Sequence, residues 1–285
     1  MAADTATAVE EREFAFTTRD FERVRDMIYR RAGIVLAPGK QDMAYSRLAR
    51  RLRALQLESF SEYLERLAQP DDPEWEAFTN ALTTNLTSFF REAHHFDILK
   101  QLLREQPAGA KILLWSAAAS TGEEPYSMAI TAVEAFGSLT PPVKILATDL
   151  DTQVLATAER GVYPLDRIEK ISDERRRRFF RRGSGSMAGH CRVIEELRSL
   201  VSFRPLNLLD ERWPMRGPFT AIFCRNVMIY FDKETQYALL KRMMPLLGPQ
   251  GRFFAGHSES LFHAADLVTA CGRTVYRSAL AKPRA

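Results

Sequence analysis

Two adjacent carboxylates, Glu123 and Glu124, follow a run of very small residues, Ala117, Ala118, Ala119, Ser120, Thr121 and Gly122. Four apolar residues, Ile112 to Trp115, precede that run and read as a buried strand, with the carboxylates where a helix should begin. In α/β proteins, such a strand-to-helix turn is where backbone can approach a nucleotide-like ligand. The spacing is neither the GxGxxG of dinucleotide folds nor the GxxxxGK[ST] of phosphate loops. Acids stand where a phosphate cradle would need donors, so the expected ligand lacks phosphate and carries positive charge. S-adenosylmethionine (AdoMet), with its sulfonium and ammonium groups, has those properties.

Three further strand ends carry polar residues able to hold such a ligand. Asp149 follows Val143–Thr148, where a carboxylate can accept hydrogen bonds from both ribose hydroxyls. Asn207 and Leu208 suit a base edge and a base face. Arg225 and Asn226 follow the run Ala221–Cys224, with Tyr230 close behind. Each also has a plainer reading. Glu123 and Glu124 can be first-turn acids complementing a helix dipole. Asp149 and Asp151 can be turn or cap residues, a reading preferred for Asp151 alone. Asn207 can be a turn residue, and Arg225 with Asn226 a surface turn. All four groups at strand ends of one sheet favour a site.

The elements that would carry them change character along the chain. The first third reads as helices. Thr17 with Asp20 forms a capping box before Phe21, Val24 and Ile28, with a stop at Gly33. Ser59 with Glu62 repeats that signal, and Asp72-Pro73 opens a helix carrying Trp75, Phe78 and Leu82. From Ile112 strands and helices alternate. Strands are expected at Ile112–Trp115, Val143–Ala147, Ala221–Cys224, Gly251–Ala255 and Thr274–Ser278, with helices at Thr152–Arg160 and Lys233–Leu247. That alternation predicts an α/β fold, a parallel sheet with helices on both faces. Between them a short helix is expected from Ser172 to Arg181 and Arg182. A glycine-rich stretch and two β-like runs, Cys191–Leu197 and Leu200–Phe203, follow as a small antiparallel insertion.

Size and composition fit this organisation. The 285 residues, 46% hydrophobic and 27% charged, suffice for two domains with cores of their own. The start, Met1 to about Glu13, reads as disordered and not as a signal peptide. No apolar run approaches the roughly 20 residues that span a bilayer. Three scattered cysteines, Cys191, Cys224 and Cys271, indicate neither a disulfide framework nor a zinc site, and suggest the reducing cytoplasm. His94 and His95 are neighbours and make a poor metal pair. His257 sits in a sequence without the GxSxG spacing of a nucleophile elbow. A structural role suits all three, and Cys224 reads as core.

These residues, with Thr84 to Glu92, also carry a resemblance. The chain resembles the bacterial CheR-type chemotaxis receptor methyltransferases from about Phe16 to Ala281, through the motifs TTNLTSFFRE, WSAAASTGEEPYS, ATDLD, IFCRNVMIYFD and GHSES. The resemblance implies a Rossmann-like AdoMet-dependent methyltransferase sheet with a small antiparallel β insertion, preceded by an all-α N-terminal domain. Expected bounds are 14–82 for the helical substrate-docking domain and 83–91 for an interdomain segment. The catalytic domain is then 92–285, with the insertion at about 178–205. The implied reaction moves a methyl group from AdoMet to glutamate carboxylates of membrane chemoreceptors, leaving S-adenosylhomocysteine. Asn85, Thr87 and Arg91 would line the cofactor pocket, Glu124 hold the ammonium and Asp149 the ribose. Asn207 and Leu208 would bracket the adenine, with Arg225 and Asn226 nearby. Arg91 and Tyr230 are expected closest to the reacting carboxylate.

Two surfaces offer themselves to the receptor. Leu48, Leu52 and Leu55 mark one helix face as buried, which places Arg47, Arg50, Arg51 and Arg53 on the other. A solvated basic face is the default for such a cluster; the resemblance favours docking along an acidic helical surface. Gly183, Gly185 and Gly189 fit either capture of a receptor tail peptide by strand addition or a plain hairpin turn. The expected protein is a cytoplasmic monomer recruited to receptor arrays, without membrane insertion or nucleic acid. A noncatalytic AdoMet-binding signalling adaptor is the alternative. The net charge of +4 suggests a nucleic-acid methyltransferase as a further rival, but Asn226-Val227-Met228-Ile229 is not the NPPY-like turn common in enzymes acting on exocyclic amines.

Overall fold

A computed structural model describes residues 12–280. The chain falls into two compact units, the first ending at Leu82 and the second starting at Thr83. Of the start expected to be disordered, residues 1–11 lie outside the described ones. Arg12 and Glu13 are instead tied down, Arg12 to Asp42 and Glu13 to Arg53.

The first unit is all-α: α1 is Thr18–Ala32, α2 Gln41–Leu55, α3 Phe60–Arg66 and α4 Glu74–Leu82. Thr17 and Asp20 exchange side-chain-to-amide bonds at the start of α1, the capping box, and Gly33 ends it at φ 68°. Helical spacing carries Phe21, Val24 and Ile28 into the core. Burying each stabilises the fold by about 1.5–3 kcal/mol. Ser59 caps α3 by accepting the Glu62 amide, and Asp72 accepts the Glu74 amide at the head of α4.

The arginines of α2 do not form one solvent-facing surface. Arg51 clasps Glu74 through Nε and Nη2, each at 2.8 Å, and the Tyr63 hydroxyl donates to the same carboxylate at 2.9 Å. Glu74 is buried, and burial with this neighbour pushes the Tyr63 pKa up. The Glu74 hydrogen bond likewise raises that of Arg51. Arg51 is thus a strut joining α2 to α4, and the expected docking face loses it. Arg47 donates to the Ala81 carbonyl at 3.2 Å, Arg53 pairs with Glu13, and Arg50 is exposed.

The second unit begins with α5 (His94–Arg104), β1 (Ile112–Ser116), α6 (Glu123–Phe136), β2 (Val143–Asp149) and α7 (Thr152–Arg160). A β-subdomain follows: β3 (Val162–Pro164), α8 (Asp173–Phe179), β4 (Phe180–Arg182) and β5 (His190–Val193). The chain returns through α9 (Glu195–Arg198) to β6 (Val201–Pro205), β7 (Phe219–Phe223), α10 (Lys233–Met243), β8 (Leu247–Phe254), β9 (Val268–Gly272) and β10 (Val275–Ser278). The main sheet has the order β6-β2-β1-β7-β8-β10-β9, with β6 to β8 parallel and β10 antiparallel to both of its neighbours, β8 and β9. The period-two alternation of a strand feeds two cores. On β1, Ile112 and Leu114 join the core on one face, and Trp115 joins the other, where Leu113 packs at its margin.

Several sequence expectations need correction here. Leu200–Phe203 does not belong to the insertion: Val201–Pro205 pairs in parallel with β2, Ile145 opposite Val201 and Asp149 opposite Pro205. Val201 and Phe203 are buried while Ser202 and Arg204 are exposed, and such alternation on an edge strand resembles an antiparallel hairpin. The insertion therefore spans 162–193, and its sheet runs β3-β5-β4. The run Cys191–Leu197 is strand only to Val193, after which Leu197 sits in one helical turn. Arg181 and Arg182 lie in β4; the basic end of α8 is Arg176 to Arg178.

Replacing Glu74 with Ala removes the acceptor shared by Arg51 and Tyr63. Breaking a buried, bonded pair of this kind should destabilise the first unit by about 2–3 kcal/mol. Urea unfolding followed by Trp75 fluorescence reads this, and an unchanged midpoint would show that the pair does not organise the unit.

Candidate functional site

β1 lies between β2 and β7, the switch in strand order at whose carboxyl ends open α/β sheets form their ligand crevice. The small-residue loop lines it. Ala117 donates its amide to the Phe223 carbonyl at 2.8 Å and Ala119 to that of Thr148 at 2.9 Å, so the loop is strapped to both neighbouring strands. Ser120 adopts φ 48° and Gly122 φ 97°. A Cβ on Gly122 would stand 2.8 Å from both the Ala158 Cβ and the Tyr163 hydroxyl, which makes this glycine obligatory.

Glu123 and Glu124 both open α6 and both are buried, yet they do different things. Glu123 accepts from the Thr121 hydroxyl at 2.6 Å and lies 3.8 Å from Arg167. Glu124 accepts from the Ser116 hydroxyl at 2.7 Å and from Arg225 Nη1 at 3.0 Å. Burial pushes the pKa of each up, against the pull of those partners.

Arg225 is the only lysine or arginine buried among the described residues. It lies 5.7 Å from the ring centroid of Phe96 and 5.8 Å from that of Phe223. Its Nη2 donates to the Arg91 carbonyl and lies 3.4 Å from Glu92 Oε2. A surface turn is excluded for this residue. Its neighbour Asn226, at φ 58°, donates its amide to Glu259 at 3.0 Å, and Glu259 also accepts the Gly256 amide. A methyl group on Gly256 would fall 2.3 Å from Asn226 Nδ2.

Asp149 accepts the Ser120 amide at 2.8 Å and the Asp151 amide at 2.9 Å. Burial outweighs those bonds and pushes its carboxyl up to about 6. Asp151 caps α7 through its Oδ1, and its Oδ2 accepts the Thr83 hydroxyl and the Asn85 side-chain amide, both at 2.8 Å. The cap is therefore also the anchor of the segment that starts the second unit.

The remaining expected residues are placed as follows. Thr87 is half-buried, with its carbonyl accepting from Arg167 at 3.1 Å. Arg91 is half-buried and donates to the Leu86 carbonyl at 2.8 Å. Asn207 makes an Asx-type turn to the Leu209 amide at 3.0 Å, one residue after Leu206 bonds the Asp149 carbonyl. Leu208 is buried in the core that contains Trp115 and Ala117. Tyr230 is half-buried in a 3₁₀ turn after β7. The crevice edge thus gathers Asn85, Arg91, Glu124, Asp149, Arg225 and Asn226. Gly183, Gly185 and Gly189 lie elsewhere, in the connection between β4 and β5, where Gly185 has φ 58° and Gly189 φ 85°.

Sequence reasoning gave no role to Glu92 or Glu259, which hold Arg225 and Asn226 in place; each is flagged only by its motif, TTNLTSFFRE and GHSES. His95 and His257 surround Glu92. The His95 ring is wholly buried, and burial beside Arg225 pushes its pKa down to about 3, which keeps it neutral. The donor set suits a cationic, hydroxyl-bearing ligand. Carboxylates outnumber the one guanidinium, and Glu92 Oε2 and Glu259 Oε1 are buried without a hydrogen-bond partner.

Comparisons with known proteins agree. Residues 85–277 match the CheR methyltransferase SAM binding domain, and residues 19–83 the CheR methyltransferase all-alpha domain. The chemotaxis protein methyltransferase 2 of Pseudomonas aeruginosa is 57% identical over 268 residues, 94% of this chain and 95% of that protein. The chemotaxis protein methyltransferase of Salmonella typhimurium is 50% identical over 272 residues, 95% and 93% of the two chains. That of Escherichia coli is 49% identical over 263 residues, 92% and 91%. With both domains matched over nearly the whole described length, the chain belongs to the CheR methyltransferase family and its second unit is an AdoMet-binding methyltransferase domain.

Proposed function

We propose that the protein methylates the side-chain carboxylates of particular glutamates in the cytoplasmic helical domains of membrane chemoreceptors, yielding glutamate methyl esters and S-adenosylhomocysteine. The observation that carries this reading is the buried Glu124–Arg225 pair, with buried Asp149 at the end of the neighbouring strand β2. It offers acceptors for an ammonium and a ribose, and no nucleophile–base pair. Bound AdoMet supplies an electrophilic methyl group on a sulfonium that leaves as a neutral thioether. The acceptor glutamate, with an ordinary pKa about 4.3, is ionised at neutral pH, so neither a general base nor a general acid is required. What the chain must supply is alignment and exclusion of water.

Glu124 holds the ammonium: each of its oxygens has a lone pair beyond those used by Ser116 and Arg225. Asp149 receives the ribose hydroxyls in the same way. Asn85, kept in place by Asp151, and Thr87 border the pocket with Arg225 and Asn226, and Asn207 with Leu208 frames the adenine. Arg91 spends one of its five donors on the Leu86 carbonyl, which leaves the fork to orient the incoming carboxylate. Tyr230 assists from the β7 side.

Receptor recognition is assigned to the helical unit and to the β-subdomain. On α2, Arg50 leads, with Arg47 and Arg53 beside it. Between β4 and β5 the glycines shape a turn next to an open strand edge that a receptor tail peptide can join. The protein acts as a cytoplasmic monomer recruited to receptor arrays. Among the described residues no helix is long and apolar enough to cross a membrane.

Incubation with methyl-labelled AdoMet and the cytoplasmic domain of a chemoreceptor should give base-labile label on receptor glutamates. AdoMet binding without any label would make the protein an adaptor, and label on RNA or DNA would move the substrate class.

Because Asp149 must be ionised to accept both hydroxyls, binding has a predictable pH dependence. Its pKa near 6 in the folded chain lies above the ordinary 3.8, so protonation competes with the ligand as pH falls. S-adenosylhomocysteine affinity should rise through pH 6 and level off above 7, falling about tenfold by pH 5. The same sign makes the folded state take up protons between about pH 4 and 6, so this group's contribution to stability declines as pH rises across that window. A flat calorimetric profile from pH 5 to 7 would contradict the assignment.

Arg50→Glu should raise KM for intact receptor domain several-fold, in keeping with the loss of a steering charge, and leave S-adenosylhomocysteine affinity unchanged. Equal loss in both would remove α2 from the docking surface.

A further inference from the structure

Glu92 ends the segment that leads into α5, and it holds φ 59°, a conformation unfavourable for a residue with a Cβ. Its side chain is 7% exposed. Oε1 accepts the His257 amide at 3.1 Å and faces Asn226 Nδ2 at 3.5 Å. Oε2 lies 3.4 Å from Arg225 Nη2, 3.5 Å from His95 Nδ1 and 3.8 Å from His257 Nε2. Arg225 reaches the other way to Glu124 at 3.0 Å. One guanidinium is thus shared by two buried carboxylates that stand on separate elements.

We propose that Glu92 is a positioning residue for the amino-acid end of AdoMet, acting through Arg225 and Asn226. This rests on the AdoMet site proposed above. Glu124, Arg225 and Glu92 together carry a formal charge of −1, and His95 adds none. The ammonium brought by the ligand cancels that surplus in a place where water does not screen it. With Glu92 neutral the Glu124–Arg225 pair balances itself, and the attraction for an ammonium falls away. The same change frees Arg225 to swing toward Glu124 and weakens the Asn226 amide's contact with the oxygen that also accepts from His257. Burial pushes the Glu92 carboxyl up, but Arg225 and the His257 amide outweigh it and hold the group below the ordinary carboxylate range. The charge is therefore present throughout the neutral range.

Glu92→Gln keeps the shape of the side chain and its acceptor for the His257 amide. Calorimetry with two ligands tests the idea: S-adenosylhomocysteine, and 5′-methylthioadenosine, which has the nucleoside but no amino-acid end. The variant should bind S-adenosylhomocysteine about tenfold or more weakly, the scale of a lost charge-assisted interaction, and bind methylthioadenosine as the unaltered protein does. Glu92→Asp, which keeps the charge, should recover part of the loss. Equal weakening for both ligands would reduce Glu92 to a structural support and overturn the proposal, as would no change for either. If the unaltered protein bound neither ligand, the AdoMet site reading itself would fall first.

Discussion

A single buried guanidinium holds the crevice together. Arg225 has almost no access to water, and a charge so placed is tolerable only if it is paired; both Nη atoms are bonded, while Nε has no hydrogen-bond partner. It meets Glu124 from the start of α6, Glu92 from the segment before α5, the Arg91 carbonyl from that same segment, and the faces of Phe96 and Phe223. Two stretches far from it in sequence, residues 91–96 and the start of α6, therefore converge on one side chain beside its own strand. Taking Glu124 or Glu92 away changes the charge balance around the guanidinium, which ties these stretches together.

Four of the six described non-glycine residues with positive φ gather near that charge. Phe90, Glu92, Ser120 and Asn226 all have positive φ, and all lie on loops bordering the crevice. Such conformations cost on the order of 1 kcal/mol or more for residues with a Cβ. The compensation is visible for each. Phe90 donates its amide to Ser127, Ser120 to Asp149, Asn226 to Glu259, and Glu92 is held by its side chain. Side-chain carboxylates and hydroxyls that bond backbone amides here do the work that regular ladders do inside the sheet.

How much of this was legible in the sequence depends on whether the cause was local. The capping box at Thr17, the glycine stops at Gly33 and Gly161, and the apolar runs of β1 and β2 are written within a few residues, and they appear in the structure. β6 was misplaced because an edge strand with one wet face carries the alternation of a hairpin strand. β3, three residues long behind a glycine cap, carries no pattern at all. At the site, Glu124, Asp149 and Arg225 could be picked out because each follows an apolar strand. Glu92 and Glu259 could not, since a glutamate in a polar loop looks solvated until its partners are known. The partner of Glu92 lies 133 residues along the chain, and neither end announces the other. Arg51 misled for the same reason: its helix face reads as solvent, whereas α4 brings Glu74 against it.

The surplus of carboxylates gives the crevice a built-in bias. Glu124 and Asp149 are both pushed toward protonation by burial, so a site without a cation sits in tension with the solvation its acids have lost. A ligand that brings an ammonium relieves Glu124, and one that brings hydroxyl donors relieves Asp149, each at its own strand end. A phosphate-bearing nucleotide would add to the tension at the first of these places, whatever its ribose offers at the second. On the site proposed above, selectivity for a cationic nucleoside over the far commoner phosphorylated ones would follow from where the chain buries its acids, before any contact to the base is considered.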